Sequence, residues 1–286
     1  MPDHAFVGYW VRRFLLEYLV HERGLSKNTQ QSYRDTFCLF LPFVATTVKT
    51  AVDRLVIDDL SPSIVSAFLA HLEQARGCSV VTRNQRLATL HAFARFTAER
   101  SPEHVEWCAQ VRNVPFKRAW RSPVPYLEKD EIDELLRAPN RATAHGQRDY
   151  ALLLFLYNSG ARATEAARVL IDDLTWDATG TGSVKVRGKG RKIRFCPLWK
   201  KTMAELRPLI RGRDAADPLF LNRYGDCITR FGVHALVTRH AETATRKVPS
   251  LRTKRISPHT IRHTTATYLL RAGVDLNTIR AWLGHV

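Results

Sequence analysis

The sequence predicts a mainly α protein with a small β-sheet, an α+β chain built as a helical N-terminal domain followed by a mixed domain. Three observations carry this. Apolar side chains recur at helical spacing between clear caps over the first hundred residues. Short β-like runs occur only in the second half, around a Gly-Lys-Gly turn. Charge is divided unevenly between the halves: residues 1–106 hold 12 basic and 11 acidic side chains, and residues 107–286 hold 32 and 16.

In the first part, Phe6, Trp10, Phe14, Tyr18 and Leu19 share one helical face before Gly24. Ser26 caps a second helix through Tyr33, Phe37, Phe40 and Leu41. Ser61-Pro62 supplies a cap followed by proline at the first helical position, opening a third helix with Ile64, Val65, Phe68, Leu69 and Leu72 inside and Gly77 at its end. A fourth helix follows Ser79, with Leu87, Leu90, Ala94 and Thr97 on one face. Thr82, Arg83 and Arg86 fall off that stripe by this reading, so they are expected to face solvent or a ligand. Four helices thus make a small domain over 1–106, and 107–125 reads as a basic, proline-broken linker carrying Arg112, Lys117, Arg118 and Arg121.

From Tyr126 onward, helices are expected at 128–137, 149–158 and 164–170. Strands follow at 183–187 and 192–197 around Gly188-Lys189-Gly190, then helices at 200–209, 229–240, 258–271 and 275–283. There is no internal repeat or low-complexity segment.

A chain of 286 residues with 45% apolar content is long enough for two packed cores. No run reaches the length of a membrane span, and the N-terminus lacks the pattern of a secretory signal, so a cytoplasmic protein with no membrane partner is expected. The five cysteines, Cys38, Cys78, Cys108, Cys196 and Cys227, form no CxxC pair. They are expected to be reduced and mostly buried. A net charge of +17 favours a polyanionic partner, with a generically basic surface as the plain alternative.

Four separated basic sites stand out: Ser159-Gly160-Ala161-Arg162-Ala163-Thr164-Glu165, the Gly188-Lys189-Gly190 turn, His259-Thr260-Ile261-Arg262-His263, and Leu283-Gly284-His285. Each has an ordinary reading by itself, as a surface arginine, a solvated lysine or a lone histidine. Arg162 and Glu165 lie three apart and can pair on a helical face. His259 and Arg262 share the start of a helix behind the Ser257 cap and Pro258, where an anion such as phosphate is favoured. The i, i+4 pair His259 and His263 also fits a zinc helix, but Arg262 between them opposes a metal charge, and His263 reads better as a structural hydrogen-bonding residue.

In order and spacing this set resembles the tyrosine recombinases of the phage-integrase, Xer-like type. The match is specific over 257–285 and weak in the N-terminal part. The resemblance implies a SAM-like core-binding domain before the linker and a catalytic domain over 126–286. It implies that Arg162 and Arg262 clamp a scissile phosphate, Lys189 protonates the leaving 5′ oxygen, His259 transfers a proton, His285 donates a hydrogen bond to phosphate and Glu165 orients its neighbours. It implies strand cleavage and rejoining through a 3′-phosphotyrosyl intermediate, with no metal and no cofactor. The implied partner is double-stranded DNA with inverted half-sites, held by a homotetramer of the full-length protein, with Thr82, Arg83, Arg86, Lys117, Arg118 and Arg121 as candidate DNA contacts.

In the family the nucleophilic tyrosine follows the Leu-Gly-His motif, whereas this sequence ends at Val286. The expectation is therefore a chain that binds DNA and lacks its nucleophile. The eight tyrosines present sit in other contexts: Tyr150 and Tyr157 read as core, and Tyr268 as the apolar face of its helix. Two other readings remain open at this point, a non-cleaving remnant that occupies recombination sites and a nicking enzyme resembling the type IB topoisomerases.

Overall fold

The computed structural model describes residues 5–120, 124–188 and 192–284. The chain divides into two compact units, Met1–Arg121 and Ser122–Val286.

The first unit is all helical. Helix α1, Val7–Arg13, runs into a wider π-type turn over Phe14–Glu22 that Gly24 ends at φ +53. Helix α2, Lys27–Val48, begins where the Ser26 hydroxyl accepts the Thr29 N–H. Helix α3, Pro62–Gln74, begins on Ser61 with proline at its first position. Helix α4, Val80–Ala98, begins on Ser79. All three caps follow the sequence expectation. Phe14, Phe37, Phe40, Phe68, Phe93 and Phe96 fill the core, with Phe14 and Phe93 edge to face at 5.5 Å.

A fifth helix, α5, Val105–Arg112, was not anticipated. It buries Trp107, Cys108 and Val111 in the same core, and the Trp107 Nε1–H donates to the Leu60 carbonyl at 2.9 Å. Val114 is buried there too. The expected linker over 107–125 is thus corrected at its start: an apolar Trp-Cys-Val face overrides the polar average of the segment, and the first unit continues past residue 106.

The second unit centres on α7, Ala144–Ser159, whose residues Ala151 to Leu156 are buried on every side. Around it lie α6 (Lys129–Arg137), the single turn α8 (Ala163–Ala166), α9 (Lys200–Ile210), α10 (Arg230–Ala244), α11 (Pro258–Arg271) and α12 (Leu276–Leu283). The helix expected at 164–170 shrinks to one turn because Leu170 bridges to Pro218 instead of continuing the helical ladder.

A three-stranded antiparallel sheet completes the unit, in the order β1 (Leu174–Trp176), β2 (Gly182–Arg187), β3 (Ile193–Leu198). Val184 pairs with both Leu174 and Cys196, and Arg187 pairs with Ile193. Strand β1, only three residues long, had no sequence signal. Alternation along β3 sends Ile193 and Phe195 outward and buries Cys196 and Leu198. By the same parity Arg194 lies on the covered face, beside Cys196.

The cysteines are free, but only Cys108 and Cys196 are buried; Cys38 and Cys227 are exposed, against the expectation of mostly buried thiols. Among the described residues no helix is long and apolar enough to cross a membrane.

Candidate active site

Helix α7 stops at Gly160, which takes φ +60, a left-handed cap that side chains other than glycine adopt at a cost. A methyl group there would also meet Leu283 Cδ2 at 2.5 Å. This stop turns the chain so that Arg162 falls at the N-cap of α8 and Glu165 at its third position. The Arg162 backbone N–H donates to Glu165 Oε2 and its guanidinium to Oε1, both at 2.8 Å.

Glu165 is 4% exposed and accepts a further bond from Arg194 at 2.7 Å. Burial alone would push its carboxyl up; the Arg194 and Arg162 donors outweigh that and hold it below the ordinary glutamate range. Arg194 also donates through Nε to the Trp282 carbonyl at 2.8 Å.

Helix α11 starts as the sequence suggests, with the Ser257 hydroxyl accepting the Thr260 N–H and Pro258 at the first position. Three residues after His259, on the same side, Arg262 is 2% exposed. It donates to the Gly160 carbonyl at 2.6 Å and to the Leu283 carbonyl. Both acceptors end a helix, so Arg262 caps α7 and α12 at once, where a cation also meets the negative pole of each dipole. Burial, reinforced by the nearby charge of Arg162, pulls the Arg262 guanidinium down to about 10.

Arg162, His259 and Arg262 line one open cleft of about 470 Å³, together with Arg230, Phe231 and His234 from α10. His259 has its ring centroid 4.4 Å from that of His263, edge to face. Partial burial lowers its imidazole below the usual range, and the charges of Arg262 and Arg162 add to the effect. The chemical consequence is an excess of positive charge: Arg162 and Arg194 share the Glu165 carboxylate, and Arg262 close by pairs with no carboxylate among the described residues. Such a site favours an anion, whose charge offsets the burial, and the added repulsion of neighbouring arginines, that lower Arg262 and His259.

The structure therefore brings together Arg162, Glu165, His259 and Arg262 from the sequence-selected set. Lys189, His285 and Arg121 lie outside the described residues. Gly188, the chain neighbour of Lys189, is described: a methyl group on it would lie 3.5 Å from Glu165 Oε1. Sequence reasoning missed Arg194, whose signal was the strand parity of β3, and the α10 residues Arg230, Phe231 and His234, which sit at the start of a helix with no motif around them.

The candidate contacts of the first unit are placed differently from expectation. Thr82 belongs to the α4 cap, its hydroxyl 3.1 Å from that of Ser79. Arg83 is only 6% exposed, which corrects the reading that it faces solvent. It lies one turn before Leu87, on the apolar stripe itself, and donates to the Pro115 carbonyl at 2.9 Å with Glu73 at 3.6 Å. Arg86 is half-buried and donates to the Ser32 carbonyl at 2.8 Å and to Thr36 at 3.0 Å, tying α4 to α2. Lys117 pairs with Glu73 at 2.9 Å, and Arg118 rests over the Trp120 ring at 5.4 Å.

With this geometry in hand, residues 125–286 match the phage integrase family and residues 12–101 match the phage integrase N-terminal SAM-like domain. The chain belongs to the phage integrase family. A putative integrase/recombinase of Sinorhizobium fredii, y4rC, is 38% identical over all of this chain and 86% of its own length. The tyrosine recombinase XerC of Pelobacter propionicus is 33% identical over 96% of this chain and 86% of its own. In fold, the integrase chain is similar to the XerH site-specific recombinase bound to a palindromic difH substrate, with a TM-score of 0.71 and 21% identity over 92% of this chain and 75% of the other. The mainly helical fold with its small antiparallel sheet is that of a tyrosine recombinase.

Proposed function

We propose that this integrase family member carries out site-specific recombination of double-stranded DNA, with the cleft of Arg162, His259 and Arg262 as the seat of the scissile phosphate. The observation that carries the reading is the charge imbalance at the cleft: Arg162 and Arg194 share one buried carboxylate, Glu165, while the buried Arg262 guanidinium bonds to the Gly160 and Leu283 backbone carbonyls and pairs with no carboxylate among the described residues. A phosphodiester supplies the missing charge. Arg162, half-open to the cleft, grips it directly through a planar fork. Arg262 adds charge from beneath, and together they favour the trigonal-bipyramidal phosphorane more than the ground state.

In this reading a tyrosine oxygen attacks phosphorus, a protein-to-3′-phosphate bond forms, and the 5′ oxygen leaves with a proton supplied by Lys189. His259, whose imidazole is lowered by burial in the free protein, accepts the tyrosine proton. His285 donates to a phosphate oxygen, and Glu165 acts as a positioning residue that fixes the Arg162 and Arg194 forks. The partner DNA carries inverted half-sites, and four copies of the full-length protein assemble on it. No metal or cofactor enters the scheme.

A specific observation favours a second element of the proposal: among the described residues the cleft walls hold no tyrosine. Tyr157 packs against Trp199 and Tyr268 and is pushed up to about 12 by burial, which disfavours its phenolate. We therefore assign the nucleophile to none of the eight tyrosines of residues 1–286. A nicked suicide duplex spanning the recombination site, run on a denaturing gel, tests this. The chain as given forms no covalent adduct, and the chain extended by the terminal segment of a close relative forms one. An adduct from the 286-residue chain, mapped to one of its tyrosines, overturns the assignment.

A further inference from the structure

The last turn of α12 is held from outside the helix. A helix end leaves its final carbonyls without intrahelical partners. Here the Trp282 carbonyl accepts Arg194 Nε at 2.8 Å and the Cys196 thiol at 3.4 Å, and the Leu283 carbonyl accepts Arg262. The Arg194 fork reaches further. Its Nη2 donates to Glu165 Oε2 at 2.7 Å, and Glu165 Oε1 in turn accepts Arg162 at 2.8 Å. The remaining nitrogen, Nη1, lies by two glycines: a methyl group on Gly284 would stand 3.2 Å from it, and one on Gly188 3.8 Å. One planar guanidinium thus sits where α8, the residue after β2 and the end of α12 meet.

Each of these segments carries or adjoins a residue of the sequence-selected set. Arg162 is the N-cap of α8, Lys189 follows Gly188, and His285 follows Gly284. Arg194 itself is no wall of the cleft: its side chain is 9% exposed, and the described lining includes Arg162 and Arg262 without it. Its charge is already matched, because burial alone would lower the guanidinium and the Glu165 bond and charge outweigh that. A cation so enclosed and so paired is engaged with the protein and not with a ligand.

We propose that Arg194 is a positioning residue of the reaction: through Glu165 it aims the Arg162 fork at the phosphate, and through the Trp282 carbonyl it sets where the chain leaves α12. The inference rests on the reading of the protein as a DNA recombinase, since that reading names the phosphate. A planar fork is what the role requires. Its Nε and Nη2 donors point in fixed directions, so the Trp282 and Glu165 acceptors are held at one mutual spacing. A lysine keeps the charge but is a point donor on a flexible stem, and it cannot fix the pair.

The test is a double-mutant cycle on duplex affinity in the full chain, with Arg194→Lys and Arg162→Ala made singly and together. Arg194→Lys alone is expected to weaken binding roughly 10-fold, and in the Arg162→Ala background less than about 2-fold, because the group it acts through is gone. Leu206→Ala, buried in α9 and outside the described cleft walls, is the control for lost stability: it lowers the melting temperature and leaves duplex affinity as it was. An unchanged affinity in Arg194→Lys, or an equal loss in both backgrounds, overturns the inference. Should Arg194→Lys fail to fold, Gly284→Ala presses on the same fork from the α12 side. The Arg162 Nε–H signal of the free protein, followed by NMR, is then expected to move. Gly273→Ala, at a similarly left-handed glycine with open space around it, should leave that signal in place. An Arg162 signal that ignores Gly284→Ala, or answers both glycine variants alike, overturns the inference. A parent whose duplex affinity ignores Arg162→Ala refutes the recombinase reading instead, and the free-protein Arg162 signal then decides the positioning claim by itself.

Discussion

Arg194 lies 2.7 Å from Glu165, so one buried carboxylate is shared between a strand arginine and the cleft arginine Arg162. Glu165 also accepts the Arg162 backbone N–H, which makes it the hinge between the α8 turn and β3.

Replacing Glu165 with glutamine leaves Arg194, 9% exposed, without its charge partner. The expected loss is about 3–5 kcal/mol in urea unfolding, the usual result of breaking one side of a buried pair. The pH dependence has a definite sign. The folded carboxyl sits below its unfolded value, so its stabilisation is present above the ordinary glutamate range and is lost as pH falls through the lowered folded value. The variant should show a flatter acid limb than the parent.

His259 is lowered in the free protein, so the folded state favours its neutral form. Its contribution to stability therefore rises as pH climbs through the lowered folded value toward the ordinary imidazole range, and is unfavourable below it. A bound phosphate reverses the local field. NMR titration of His259 with and without duplex DNA should show the imidazole value raised in the complex, and duplex affinity should strengthen as pH falls toward 6.

Gly160→Ala should be costly beyond its change in size. The left-handed backbone costs about 1 kcal/mol for a residue with a side chain, and Leu283 must also move away from the new methyl group. Because the Gly160 and Leu283 carbonyls are the two acceptors of Arg262, thermal melting should drop by several degrees and duplex affinity should fall with it.

Arg83→Ala should destabilise the first unit, contrary to what a solvent-facing arginine would do. The change removes donors to Pro115 and leaves Glu73 with Lys117 alone, a loss of about 1–3 kcal/mol. Equilibrium unfolding distinguishes this from a pure DNA-contact role, which would leave stability unchanged.

Much of the fold was legible because the caps are local. Ser26, Ser61, Ser79 and Ser257 each announce a helix start within three residues, and the structure places a helix after every one. What escaped depended on distant partners. Strand β1 exists only through its pairing with β2, and α5 only because the first core has room for Trp107. Arg83 was misread because a helical stripe was counted from its leucines, which left out the charged residue one turn earlier. At the site, Arg162, Glu165, His259 and Arg262 were legible from motif order, while Arg194 became visible only once strand parity and the Glu165 position were known together.

The salt dependence of duplex binding tests the central claim, that the Arg162 and Arg262 cleft seats a DNA phosphate, most directly. Affinity of the full chain should fall steeply with salt, by about 0.9 in log–log slope for each phosphate contacted. Arg162→Ala should lower that slope by about one contact without lowering the melting temperature by more than a few degrees. A flat salt response in the parent, or an Arg162→Ala variant with unchanged slope and affinity, would contradict the account.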